Sequence, residues 1–400
     1  MTASDETLKA RWHDLDAVRA FALLLGVALH ATMSFLTPRI WIVDDSHHAQ
    51  GLGVVFFVIH MFRMVTFFAL AGFFARMGVQ KRGAGGFIGN RLIHVGVPLV
   101  VFWPLILTAI IATAIIANPA VPGAPASPPP ALSVATFPLT HLWFLYVLLG
   151  LYAAAMVIKL VGDVLHIGGV FGRAIDAVMG LLVRTDLAIA VLALPVGLVF
   201  FGNDKWLMWF GVMTPDTGLV PNTMAIAAYV TAFAFGWYLH RSPQWLDHFA
   251  KRWLLNAGSA VAFTAVCLYL TGPNPVITPV AGRDHVLYIF AYTLGAWSWV
   301  LALIGAAHRF LHRENPALRY LADASYWIYI VHLPILMGFQ VVVRTLDWPA
   351  EAKFAFVLLS TVALALLSYQ LLVRYSFIGA ILNGRRKRSR GKPAGQEAMA

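Results

Sequence analysis

Residues 11–35 read RWHDLDAVRAFALLLGVALHATMSF, and the fold is decided by how this stretch is read. It is long and apolar enough to cross a bilayer as one helix, for which about 20 residues suffice. Yet it carries Asp16, Arg19 and His30, and an ionisable group in hydrocarbon costs at least a few kcal/mol unless it is paired or hydrated. At a rise of about 1.5 Å per residue, Arg19 and His30 stand about 16 Å apart along the axis, close to three turns, and so on nearly the same side. The stretch is therefore a span with one polar stripe, a cation toward its start and an imidazole toward its end. Such a stripe calls for a polar passage shared with other helices.

The rest of the chain supplies those helices. Its 400 residues are 60% hydrophobic and 12% charged, with mean hydropathy +0.75, a balance that excludes a soluble globular enzyme. The net charge of +11 would suggest nucleic acid in a soluble chain, but the cations here lie between apolar spans instead of forming one face. A single cysteine, Cys267, rules out a disulfide framework or a cysteine metal site within one chain. The polar start from Met1 to Lys9 runs directly into a span holding charged residues, without the pattern of a cleavable signal peptide.

Apolar stretches long enough for a ~30 Å core recur at residues 15–36, 51–77, 91–117, 139–160, 185–201, 221–240, 253–271, 284–311, 320–341 and 351–377. The expectation is an all-α integral membrane protein: about ten transmembrane helices in one bundle over 1–383, then a basic tail over 384–400. If the N-terminus is cytoplasmic, the outer side holds Arg39, Lys205, Arg283, Arg344 and Lys353, and nearly all other Lys and Arg fall inside. That asymmetry places both termini in the cytoplasm. The proline-rich loop within 118–138 is an outer connector or lid, since its prolines cannot continue a helix. The tail's charge suits anionic lipid headgroups.

Polar groups recur inside the spans. In VIHMFRMVTFFALAGFF, residues 58–74, His60 and Arg63 lie one turn apart near mid-membrane. Arg63 either partners a helix end or belongs to a site in which it and Arg19, at similar depth, hold an anion. Ala71 and Gly72 permit a close helix contact. Arg91 and His94, in NRLIHVGVPLV, stand at the inner edge of the third span, as a positive-inside anchor or as a phosphate site. His141 and Trp143, in THLWFLYVLL, sit at interfacial depth, where packing or an aromatic belt is the alternative to contact with an outer ligand. Trp206, Trp209 and Trp237 read the same way. Tyr329 and His332, in DASYWIYIVHLPILM, are one turn apart. The remaining interfacial histidines, His240, His248, His285, His308 and His312, read as solvated. No HExxH, GxSxG, DxD or paired-carboxylate spacing occurs between 161 and 311, so zinc hydrolysis, a serine elbow and a metal-dependent glycosyltransferase lose support.

Several of these stretches resemble one family. The LDxxR start, the ten residues between Arg19 and His30, the FFALAGFF run, the HLWFL segment at His141 and the YxIYxxHxP element at Tyr326–Pro334 are similar to the acyltransferase family 3 membrane proteins, and within them to the glucan succinyltransferases. Two departures stand out: Ala71 where the family usually has Ser, and His94 in place of the second Arg of an RxxRxxxP element. The resemblance implies transfer of an acyl group, succinyl in that branch, from cytoplasmic acyl-coenzyme A to hydroxyls of a periplasmic glucan. It implies a bacterial inner-membrane location, acyl-CoA as co-substrate, no tightly bound cofactor and no metal. His30 is then the general base with Arg19 and Asp16 beside it. Arg63, Arg91, His94, Tyr329 and His332 face the acyl donor, and His141, Trp143 and His60 face the acceptor. Imidazole suits proton transfer near neutral pH, and a covalent acyl-histidine is a variant. Acetyl transfer to another surface polysaccharide, or a proton-coupled secondary transporter, accounts for the same polar stripes. A structural scaffold does not explain charged groups on three helices.

Overall fold

The computed structural model describes residues 12–119, 131–166, 168–203, 206–277 and 282–384. The polar start, the core of the proline-rich loop, Lys205 and the basic tail lie outside the described residues. Apart from one isolated bridge between Pro138 and Thr217, the described residues are helices and connections. In chain order the helices are α1 (His13–Thr32), α2 (Gln50–Arg91), α3 (Val97–Ala117), α4 (Trp143–Val164), α5 (Gly168–Arg184), α6 (Ala188–Phe201), α7 (Thr223–Arg241), α8 (Trp245–Thr271), α9 (Arg283–Phe310), α10 (Pro316–Val343), α11 (Ala350–Ser368) and α12 (Phe377–Asn383).

Seven of the described helical runs are long and apolar enough to cross a membrane, or eight if one bent pair counts as a span. The ten expected stretches map onto helices, but four of them do so with a difference. Stretches two and three form one run of 68 residues, Gln50–Ala117, about 100 Å if straight. It does not stay straight: Gly83 breaks the helix at φ 70°, a conformation open to a residue without Cβ. The run then returns to its starting end, where Arg39 donates to both Asn118 and the carbonyl of Ile42. Stretch five is the second arm of a pair, 172–184 and 188–201, bent by 108°. The first arm, α5, falls between the fourth and fifth expected stretches and belongs to neither; Arg241 of α7 and Arg252 of α8 hold its Asp176 and the following Asp186. Stretch six is α7, which is not among the seven.

α7 owes its place to glycine. A Cβ on Gly236 would lie 1.7 Å from the carbonyl oxygen of Ala69, and one on Gly72 would lie 1.9 Å from that of Phe233, so α2 and α7 cross backbone to backbone. This is the small-residue contact expected of the FFALAGFF run, with its partner now identified. Phe68, Trp143 and Tyr229 stack beside the crossing, and Trp143 is 4% exposed. Trp206 and Trp209, at 2% and 1%, stack on Phe200 and Phe56. Trp206 and Trp209 are thus core residues, which corrects their reading as interfacial or ligand-facing aromatics, while Trp143 is buried beside the crossing instead of lying in an interfacial belt.

Charged staples close both ends of the bundle. At the end where α1 begins, His308 of α9 bonds Asp14 at 2.6 Å through Nδ1 and Asp247 of α8 at 3.2 Å through Nε2. His308 was expected to be merely solvated, yet it ties three helices together. At the opposite end the fully buried Lys353 Nζ bonds both oxygens of buried Asp45 at 2.8 and 3.0 Å, pinning the loop after α1 to α11. Arg344, directly after α10, bonds the last carbonyl of α3.

Candidate active site

Near the C-terminal end of α1 a narrow cavity of about 30 Å³ is lined by His30, Arg63, His141, Trp143, Tyr329 and His332, with Leu23, Gly26, Met64, Phe67 and Phe144 as its apolar remainder. About 10–15 Å³ admits one water, so the space holds about two. Six residues expected at the site, drawn from α1, α2, α4 with its preceding turn, and α10, therefore meet in one enclosure.

Each polar side chain has a local reason for its position. Gly26 lies one turn before His30, and its missing side chain leaves room for Arg63: a Cβ there would fall 2.3 Å from Arg63 Nη1. The guanidinium is thus seated against α1, with its Nε buried and unpartnered among the described residues. None of the lining residues is a carboxylate. His332 bonds the carbonyl of Tyr329, one turn earlier in α10, at 2.8 Å through Nδ1. His141 enters from a 3₁₀ turn whose first residue, Thr140, has φ 54°, a sparsely populated conformation for a β-branched residue. His141 bonds the carbonyl of Ile330 at 3.1 Å through Nε2, while Tyr329 donates to the carbonyl of His141 at 2.7 Å. Those reciprocal bonds lock the turn to α10.

The three imidazoles form a row. Ring centroids are 5.4 Å apart for His30 and His332, and 5.1 Å for His332 and His141. Among the described residues no set of three His, Cys, Asp or Glu is arranged to hold a metal ion. The far face of His30 carries Trp41, with centroids 5.7 Å apart. Trp41 Nε1 donates to Gln340 Oε1 at 2.9 Å, and Gln340 Nε2 donates to the carbonyl of His30 at 3.1 Å. Neither Trp41 nor Gln340 was a sequence candidate. Gln340 was detectable in principle, as the one amide side chain within the apolar stretch 320–341, where a buried amide requires partners.

Other candidates stand elsewhere. Asp16 and Arg19 pair with each other at 3.0 Å. Arg19 also lies 5.4 Å from the Phe74 ring, while Asp16 lines a small cleft with His13, Arg313 and Arg319. They precede His30 by about 21 and 16 Å along the helix, and neither lines its cavity. The expected pairing of Arg19 with Arg63 about one anion is corrected, because Arg63 meets α1 at Gly26, about 10 Å farther along. His60 packs edge-on against Phe56, with centroids 5.3 Å apart, outside the lining. Arg91 lies over the rings of Phe87 and Tyr152 at 5.4 and 5.7 Å. His94, in a π-helical turn over Leu92–Gly96, bonds the carbonyl of Ile381 in α12. One link joins this region to the cavity: Tyr326 donates to the carbonyl of His94 at 2.8 Å and stacks on Tyr329 at 6.5 Å.

Comparison with known proteins places the chain in a family. The model of the family described as "Acyltransferase domain" matches residues 12–370. The chain is 22% identical over 398 residues to glucans biosynthesis protein C of Escherichia coli (strain K12 / DH10B), covering 94% of this chain and 95% of that one. The protein of the same name from Escherichia coli O81 (strain ED1a) is 23% identical over 394 residues, and that from Shigella boydii serotype 4 is 22% identical over 398, each with the same coverage. No solved structure matches significantly.

Proposed function

Because this chain belongs to the acyltransferase domain family, we propose that it moves an acyl group, succinyl in the first instance, from cytoplasmic acyl-coenzyme A to a hydroxyl of a periplasmic glucan. The observation that carries the reading is the cavity itself, where an imidazole and a guanidinium without a carboxylate counterpart share one enclosed space. A buried cation of this kind calls for an anion from outside the protein. The distal carboxylate of a succinyl group meets that need, and Arg63 is its partner in this reading. The name of the similar enterobacterial proteins points to glucan as the acceptor.

His30 acts as the general base. It takes the proton of the acceptor hydroxyl as the oxygen attacks the thioester carbonyl, and it returns a proton to the sulfur when the carbon–sulfur bond breaks. The chain spans the inner membrane ten times in this reading, with both termini in the cytoplasm. Arg91 and His94 hold the donor's phosphates at the inner edge, and Tyr326 and Tyr329 line the way from there to the cavity. His141 and Trp143 meet the acceptor from the other side. Asp16 and Arg19 serve at the inner mouth of the same passage.

The test is a reconstitution. Purified protein in lipid discs, given succinyl-coenzyme A and a gluco-oligosaccharide, yields succinylated sugar detectable by mass spectrometry. His30→Ala, inserted and folded, yields none; turnover by that variant removes His30 as the base. A protein that forms no acylated product under any donor removes the acyl-transfer reading.

A further inference from the structure

Two of the three imidazoles in the cavity have their proton positions fixed by the backbone. A carbonyl oxygen can only accept, so the ring nitrogen facing it must carry the hydrogen. His332 is therefore protonated at Nδ1, which bonds the Tyr329 carbonyl, and His141 at Nε2, which bonds the Ile330 carbonyl. In the neutral rings the opposite nitrogens, His332 Nε2 and His141 Nδ1, then carry lone pairs. Both are buried and, among the described residues, without a partner. His30 Nδ1 is a third buried nitrogen in the same condition. The common orienting group for a catalytic imidazole is a carboxylate, and none lines this cavity.

From this arrangement we propose that His332 is the proton acceptor paired with His30, so that two imidazoles on α1 and α10 act as one base. The inference rests on the acyl-transfer reading and adds a residue to its chemistry. As the acceptor hydroxyl gives its proton to one nitrogen of His30, the other nitrogen passes its own proton to His332 Nε2. The transfer runs directly or through one of the two waters that the cavity can hold. His332 keeps its Nδ1 hydrogen on the Tyr329 carbonyl throughout, so its ring becomes the cation while His30 stays neutral. When the thioester carbon–sulfur bond breaks, the proton retraces the path and leaves on the thiol. Protons and charge balance with no further reactant. His141 Nδ1, next in the row, presents a lone pair to the same cation.

The experiment separates this role from simple packing. In His332→Asn the side-chain amide stands where Nδ1 stood and keeps the bond to the Tyr329 carbonyl, but nothing replaces Nε2. With succinyl-coenzyme A and a gluco-oligosaccharide, kcat falls at least 100-fold, within the usual range for losing a general base, while KM stays within threefold. In mixtures of light and heavy water, the wild-type kcat gives a bowed plot, because two protons move together, and the variant gives a straight one. A kcat within threefold of wild type overturns the proposal, and so does a loss of kcat that leaves the bowed plot unchanged. Should the variant fail to fold, the wild-type plot decides alone, since a straight line there means one proton in flight. Wild-type protein that makes no product overturns the acyl-transfer reading instead, which keeps the two failures apart.

Discussion

Replacing Arg63 by Gln removes a positive charge from a cavity that holds no protein carboxylate, while keeping polar bulk against Gly26. If a donor's distal carboxylate pairs with that guanidinium, the loss of one partner from a buried pair costs about 3–5 kcal/mol. At about 1.4 kcal/mol per factor of ten, kcat/KM for succinyl-coenzyme A falls by about 10² to 4 × 10³. Acetyl-coenzyme A has no distal carboxylate, so its kcat/KM changes by less than about tenfold, and the preference between the donors inverts. Stability moves the other way. Without substrate, Arg63 is a buried cation with no carboxylate among the residues lining its cavity, and its removal raises the melting temperature of the unliganded protein. Arg63→Lys keeps the charge but loses the planar fork and falls between. Gly26→Ala displaces the guanidinium without touching its charge, since the new Cβ falls 2.3 Å from Nη1, and it reproduces part of the donor effect. Initial rates with both donors, together with thermal unfolding of the same preparations, make the test. An equal fall for the two donors refutes the carboxylate pairing, and unchanged rates for both remove the cavity from the reaction.

Three more outcomes follow from the geometry. Gly236→Ala puts a Cβ 1.7 Å from the backbone oxygen of Ala69, which no side-chain motion relieves; the yield of monodisperse protein on size exclusion collapses, while Gly258→Ala, with open space around it, leaves the yield unchanged. Lys353→Met strands a buried Asp45 carboxylate and lowers thermal stability by about 3–5 kcal/mol, and the double variant Asp45→Asn with Lys353→Met recovers most of it. Gln340→Leu breaks the bonds to the His30 carbonyl and to Trp41. Leaving these groups unsatisfied costs about 1–3 kcal/mol, and kcat falls about tenfold or more with little change in KM, read from steady-state rates.

The helical bundle and most of the cavity could be read from the sequence because they rest on one-dimensional signals. Long apolar runs mark helices, and His30, Arg63, His141, Tyr329 and His332 are conspicuous because polar groups in such runs are costly. What escaped is what depends on how helices rotate against one another. Spacing alone placed Arg19 and Arg63 at matching depth, but the seat that Gly26 provides moves Arg63 about 10 Å along α1. Burial of Trp143, Trp206 and Trp209 was hidden because a tryptophan near a span end looks the same whether it faces headgroups or a neighbouring helix. α5 was missed because its apolar residues alternate with polar ones at helical spacing within a charged region, a pattern that a search for long apolar runs passes over. His308 needed Asp14 and Asp247, which lie far from it in the chain.

The missing carboxylate gives the cavity its logic. A catalytic imidazole is commonly held by an acid, but an acid within this space would sit a few ångströms from Arg63. At the low effective dielectric of a buried site it would pair with the guanidinium by several kcal/mol and cancel the charge meant for an incoming anion. Uncharged groups do the orienting instead. The carbonyls of Tyr329 and Ile330 set the tautomers of His332 and His141, and the Trp41 ring packs against that of His30 while the Gln340 amide holds the His30 backbone. Each of these contacts orders the site without neutralising Arg63. A site assembled this way keeps one cation and several lone pairs ready in the same enclosure, which is what a reaction needs when it must both hold an anionic acyl group and remove a hydroxyl proton. Introducing an acid among these residues, as in Met64→Glu, therefore quenches transfer from a carboxylated donor even though it adds a base.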